Sequence, residues 1–203
     1  YEQHFLSHFN NPHNVDMAAD MLWTIISDEE ADRAVAIYDT PALVWEPLDR
    51  AIALASEMVD TLPEPDEARE VFLEIRDRLR AFRCFNGTLR NMYAWIAGVH
   101  GYLKADGESE KESRLDQVRD MVESELANTR ALLELWETSP VNFMPVSAFG
   151  ETMHDYGTNF GEVLSRKIAL METYGDRLPH IDPDYMWRLP EDAPLDPAEY
   201  LKY

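Results

Sequence analysis

A long apolar repeat between Asp66 and Ala105 limits the folds that this chain can adopt more than any other feature of the sequence. The repeat advances in alternating steps of three and four residues through Phe72, Ile75, Leu79, Phe82, Asn86, Leu89, Tyr93, Ile96, His100 and Leu103. Such a repeat aligns its members along one face of an α-helix, which at 1.5 Å per residue would be about 60 Å long. The pattern predicts a single helix over 66–105 that packs against a partner through this row, which we call the predicted seam.

A second helical repeat follows after a short connection. Gly107 ends the first helix, and the next one runs from 109 to 138. Its partner-facing positions are predicted to be Leu115, Val118, Val122, Leu126, Thr129, Leu133 and Trp136. Two long helices joined by a few residues form an antiparallel helical hairpin. Asn86 and His100 are then polar core residues that define the register of the hairpin, and the alternative for His100 is a catalytic base.

The remaining chain predicts shorter helices around this hairpin. One helix begins at Val15 and a second spans Glu29–Tyr38. A third spans 41–62 with Thr40 as its cap, and a fourth spans 159–174. No alternating strand pattern is present, so the fold class is all-α: an antiparallel helical bundle. We expect one bundle domain over 1–175, with an irregular lead-in at 1–14.

The C-terminal residues 176–203 differ in character from the bundle. Five prolines interrupt them, and apolar side chains lie between the prolines: Ile181, Tyr185, Met186, Trp187 and Leu189. Proline removes a backbone donor and ends helices. We therefore expect an extended tail that docks its apolar side chains on the bundle or on a partner.

The charge balance excludes some function classes. The chain has 39 acidic and 18 basic residues, a formal net charge of −21. This charge repels nucleic acid backbones and anionic membrane surfaces, and no apolar run is long enough to span a bilayer. Only four of the basic residues are lysines. Two explanations remain open, a surface adapted to high salt and a GC-rich genome.

No residue pattern indicates catalysis. Cys84 is the only cysteine and lies in an apolar run, so we expect a small buried residue rather than a nucleophile. Phosphate-binding loops, nucleophile elbows and zinc-protease motifs are not present in the sequence. The sequence predicts no catalytic residue and no cofactor.

Metal sites are not predicted either. A di-iron bundle needs two Glu-x-x-His pairs, and the sequence has one, Glu151 and His154. The histidines of the lead-in, His4, His8 and His13, lack the context of a zinc site.

The segment from Phe143 to Tyr156 mixes aromatic and ionisable residues in an irregular stretch. Binding sites tend to lie on such loops. If the chain binds a small ligand, we expect it at Glu151, His154, Asp155 and Tyr156. The alternative is a loop held by its aromatic residues over one end of the bundle.

The order of parts resembles a known class of enzyme domain. The segments Leu89–Trp95, Leu135–Pro140 and Ile181–Trp187 are similar to the helical region that follows the catalytic barrel in large bacterial polysaccharide-active glycosidases, of the α-glucuronidase and β-hexosaminidase-like families. The catalytic carboxylates of those enzymes lie on the barrel, which an all-helical chain of 203 residues does not contain. The resemblance implies a non-catalytic helical domain that packs on a catalytic domain.

Three functional hypotheses follow. The first is a non-catalytic accessory domain of a carbohydrate-active enzyme, whose partner is a catalytic domain or another chain. The second is a stand-alone helical interaction or regulatory protein that pairs with a second copy through its long seam. The third is a small ligand-binding bundle that uses the 143–156 loop. The compartment is not determined by the sequence.

Overall fold

The computed structural model describes residues 27–142 and 160–179. This part of the chain forms five helices: α1 (Asp28–Tyr38), α2 (Trp45–Thr61), α3 (Glu67–Lys104), α4 (Glu108–Thr138) and α5 (Phe160–Tyr174). No strand occurs among the described residues. The predicted all-α bundle built on a long hairpin is therefore confirmed.

The hairpin of α3 and α4 forms the centre of the molecule. The two helices have 38 and 31 residues and make the most extensive contact between any two elements. Asp66 caps α3 by accepting a hydrogen bond of 2.7 Å from the Ala68 backbone N–H, which satisfies one of the free donors of the first turn. Helix α3 also packs against α1 and α2, whereas α5 packs against α4.

The face of α3 that contacts α4 differs from the predicted seam. The buried contact row contains Asp77, Cys84, Thr88, Asn91, Trp95 and Gly98. Each of these positions lies two residues beyond a predicted one, which on a helix is about 200° around the axis. Of the predicted seam, Ile75 and Phe82 are 43% and 54% exposed, and Asn86 hydrogen-bonds its own helix at the Phe82 carbonyl, 2.9 Å away. The predicted seam of α3 was therefore wrong in its N-terminal half.

Small and polar residues explain this difference. A Cβ added to Gly98 would lie 2.6 Å from Cγ2 of Val118, and one added to Gly87 would lie 2.6 Å from Oδ1 of Asn128. These glycines let the backbone of α3 approach α4 more closely than larger residues would allow. An apolar repeat gives no weight to glycine, threonine and asparagine, although here they form the contact.

Four of the seven predicted seam positions of α4 are correct. Leu115, Val118, Val122 and Thr129 are buried. Farther along, Glu125, Leu132 and Leu135 take the buried positions, whereas Leu126, Leu133 and Trp136 are only partly buried. Trp136 packs instead on α5, with its ring 5.2 Å from the ring of Phe160 in an edge-to-face arrangement.

The two short N-terminal helices pack on the hairpin. The predicted start of α2 at residue 41 was wrong, because the Thr40 hydroxyl donates to the Ala36 carbonyl at the end of α1 (2.9 Å) rather than capping α2. Ion pairs hold α1 along its length: Asp28 with Lys104, Asp32 with Arg114, and Asp39 with Arg90. Within 27–142 and 160–179, no helix combines the length and the apolarity of a bilayer span.

Candidate functional site

The ligand-binding residues predicted from the sequence lie outside the described part of the chain. This applies to Glu151, His154, Asp155 and Tyr156, to the lead-in at 1–14, and to the tail beyond Pro179. Among the described residues, no group of three His, Cys, Asp or Glu side chains could hold a metal ion. Two other surfaces of the bundle have the properties of functional sites.

The first surface is a groove between α3 and α4 that extends to the start of α2. Its volume is about 580 Å³, and it is open to solvent along the surface of the hairpin. Arg83, Gly87 and Arg90 contribute the α3 wall, and Asp120, Ser124 and Ala127 contribute the α4 wall. We call this surface the groove.

The two arginines of the α3 wall are oriented by aspartates. Nε of Arg83 donates to Oδ1 of Asp49 at 2.5 Å, and its guanidinium carbon lies 5.4 Å from the centre of the Trp45 ring. Nε and Nη2 of Arg90 donate to the two carboxylate oxygens of Asp39, each at 2.9 Å. A bidentate contact of this kind determines the plane of the guanidinium. Both cations are therefore held in place at the edge of the groove.

Beneath the groove lies a cluster of polar side chains that the solvent does not reach. The Glu125 carboxylate is fully buried, pairs with the Lys167 ammonium from α5, and accepts hydrogen bonds of 2.7 Å from the Thr88 hydroxyl and from the Asn91 amide. The Thr129 hydroxyl completes this set, at 3.4 Å from Oε1. We call these five residues the buried polar network. A buried charge is tolerated only when it is paired and hydrogen-bonded in this way.

Asn128 connects the network to the floor of the groove. Its amide nitrogen donates to the Cys84 carbonyl at 2.8 Å and to the Thr88 hydroxyl at 3.1 Å. Burial, together with the Glu125 charge, raises the pKa of the Cys84 thiol to about 11. The thiol is protonated at neutral pH, which supports the prediction that Cys84 is a packing residue and not a nucleophile.

The second surface is an apolar row on the outer face of α3, formed by Val71, Ile75 and Phe82. These side chains are 54%, 43% and 54% exposed. Their spacing places them on one side of the helix, and the Phe85 ring stacks beside Phe82 with 6.4 Å between ring centres. We call Val71, Ile75 and Phe82 the apolar row.

Together the fold and these surfaces define an α-helical bundle with a polar groove and an apolar outer helix face. Comparison with known proteins assigns it to no family: no family model, no curated protein and no solved structure matches this chain.

Sequence reasoning missed the groove and the buried polar network. Both depend on residues that are far apart in the chain, such as Asn91 and Glu125 or Glu125 and Lys167. One signal was available. Glu125 stands at a seam spacing among apolar neighbours, and Lys167 is one of only four lysines and lies at helical spacing from apolar residues such as Leu164 and Met171. Charged residues at such positions indicate a buried pair.

Proposed function

We propose that this chain is a non-catalytic helical accessory domain that docks on a partner protein through the apolar row of α3. The observation that carries the proposal is the exposure of Val71, Ile75 and Phe82 along one helix face. Single exposed apolar side chains are ordinary on protein surfaces, but several on one helix face are typical of an interaction site. The row extends over about 16 Å of helix, three turns long.

The net charge of the chain indicates the chemistry of the partner. Close to the row, Glu74 is paired with Arg78, but the whole chain has a net charge of −21. A partner surface with an apolar centre and a net positive charge is complementary to this chain. A second copy of the chain would bring an equal negative charge to the interface, which opposes self-association at low salt.

The class of the partner comes from the sequence resemblance alone. Helical regions similar to this chain follow the catalytic barrel in polysaccharide-active glycosidases. We therefore infer that the partner is the catalytic domain of a glycoside hydrolase, encoded in the same reading frame or beside it. The accessory domain would stabilise that catalytic domain or position it, and would supply no reacting group.

The test is a binding measurement between this chain and that catalytic domain. Ile75→Ser combined with Phe82→Ser should weaken binding by about tenfold or more, since each buried apolar side chain contributes roughly 1.5–3 kcal/mol. Leu43→Ser combined with Leu54→Ser is the matched control, because both leucines are exposed and lie on the α2 side. Binding should also weaken as KCl is added, since salt screens charge complementarity.

Three results would contradict the proposal. One is a reading frame and neighbourhood with no glycoside hydrolase, together with turnover of a substrate by this chain alone. Another is a stable dimer in sedimentation that the row variant dissociates, because the row would then join two copies. The third is an increase in binding of a hydrophobic dye when the chain is truncated after Pro179, because the tail would then cover the row.

A further inference from the structure

The two walls of the groove carry different charged groups: arginines paired with aspartates on one side, and an aspartate with no ion pair to a described residue on the other. Arg83 and Arg90 stand on the α3 wall, and Asp120 stands on the α4 wall with the Ser124 hydroxyl one turn away. Asp39 also borders the groove but is engaged by Arg90. Asp120 has no ion-pair partner within the part of the chain that the structure describes. The α3 wall therefore offers donors and the α4 wall offers acceptors.

The arginines retain donors for a ligand. A guanidinium has five N–H groups, and the contact with an aspartate through Nε and Nη2 uses two of them. Nη1 of Arg83 makes no hydrogen bond to any described residue, and Nη1 of Arg90 donates to Oδ1 of Asn91 at 3.2 Å, which leaves its second hydrogen. An arginine held along one edge can bind a second carboxylate along the other.

The register of the hairpin brings the two charges near each other. Gly87 lies beside Asn128 and Gly98 lies beside Val118. Arg90 is therefore nearly level with Ser124, and Asp120 lies roughly 8 Å farther along the groove at 1.5 Å per residue. In the other direction, the groove is lined by small residues, among them Gly87, Ala127 and Ala131.

We propose that the groove binds a small zwitterion with an apolar side chain, of the aliphatic amino acid class. Its carboxylate binds Arg90, its ammonium binds Asp120, and its side chain lies over the small residues toward Ala131. Such a ligand has no net charge, so the overall charge of −21 does not repel it. This site is separate from the apolar row and does not depend on the accessory-domain proposal.

The test is calorimetric titration of the full chain with leucine, isoleucine, valine and methionine. At least one should bind. Its N-acetyl and amide forms should bind at least about tenfold more weakly, since each lacks one charge-assisted hydrogen bond. Asp120→Asn should weaken binding of the parent amino acid about tenfold and leave binding of the N-acetyl form unchanged. The matched control is Glu123→Gln, which changes an exposed carboxylate of α4 that does not line the groove.

A second variant tests the volume of the groove without removing a polar contact. Ala127→Leu fills the groove from an exposed helical position and should abolish binding, whereas Ala53→Leu, exposed on α2 and outside the groove, should not. The proposal is overturned if none of the four amino acids binds, or if Ala127→Leu leaves the affinity unchanged. It is also overturned if Asp120→Asn weakens the N-acetyl form as much as the parent. The variants of the apolar row should not alter any of these affinities.

Discussion

Replacing Glu125 with glutamine removes the charge at the centre of the buried polar network while preserving the shape of the side chain. Glu125 and Lys167 are both inaccessible to solvent, and their charges neutralise each other between α4 and α5. In Glu125→Gln, the Lys167 ammonium stays buried and loses its ion pair with the Glu125 carboxylate. One of the two oxygen acceptors for Thr88 and Asn91 also becomes a donor.

The expected loss is large relative to the stability of a domain. Removing one member of a buried ion pair costs about 3–5 kcal/mol, because the remaining charge keeps its desolvation penalty and loses the attraction of that partner. Natural domains have free energies of unfolding of roughly 5–15 kcal/mol. Urea titration followed by far-UV circular dichroism should therefore show a much lower midpoint with a similar slope. Glu123→Gln, an exposed carboxylate on the same helix, should change the free energy of unfolding by less than about 0.5 kcal/mol.

A double variant separates the charge from the shape of the site. Lys167→Met added to Glu125→Gln removes the remaining charge, so the double variant should be more stable than Glu125→Gln alone. The reasoning is refuted if Glu125→Gln lowers the free energy of unfolding by less than about 1 kcal/mol. It is also refuted if the loss in the double variant equals the sum of the losses in Glu125→Gln and in Lys167→Met. Either result would mean that the ion pair does not compensate burial.

Three further predictions concern the hairpin. Gly98→Ala should lower the free energy of unfolding by about 1–3 kcal/mol, because the added Cβ would meet α4. Gly107→Ala is the control: nothing lies within 4 Å of its added Cβ, so the same urea titration should show a far smaller change. The Cys84 thiol, whose pKa burial raises to about 11, should react with a disulfide reagent at neutral pH only after unfolding; prompt reaction of the folded chain would contradict this. Burial raises the pKa of Asp77, but hydrogen bonds from Arg76 and Ser139 and the charges of Arg76 and Arg80 together bring the pKa below its usual 3.8. The stability that Asp77 contributes is therefore present above about pH 4 and is lost as the pH falls through the lowered pKa. Asp77→Asn should make acid unfolding less steep in that range.

The positions of the long helices follow from the sequence because their signals are local. Apolar spacing and end residues such as Asp66 and Gly107 act within one or two turns, so the bounds of α3 and α4 agree with 66–105 and 109–138 to within one or two residues. The start of α2 was wrong for an equally local reason. The Thr40 hydroxyl could either accept a hydrogen bond from an amide at the start of α2 or donate one to a carbonyl at the end of α1, and it does the second.

The side of α3 that meets α4 does not follow from apolar spacing. Periodicity ranks Ile75 and Phe82 above Thr88 and Asn91, although the latter two are buried and hydrogen-bonded to Glu125. The face of α3 that packs on α4 depends on the charge of Glu125 in α4. The residues near any position of α3 in the sequence do not contain that information. The groove is unpredictable for the same reason, since its walls belong to α3 and α4 and its shape depends on how closely Gly87 lets the two helices approach.

The buried polar network and the exposed apolar row are two consequences of one choice of helix face. A rotation of α3 by about 200° would bury Phe82 against α4 and gain apolar burial, but it would turn Thr88 and Asn91 away from Glu125. The carboxylate would then lose both 2.7 Å hydrogen bonds while remaining inside the bundle beside Lys167. Losing two hydrogen bonds to a buried carboxylate costs about as much as burying one or two apolar side chains gains, so the network favours the observed face. The same selection leaves Val71, Ile75 and Phe82 on the outside, where a partner surface can cover them. Replacing the network with apolar residues should therefore weaken the preference for this face. A spin label or fluorophore attached at position 82 would report the change through its accessibility to a collisional quencher in solution.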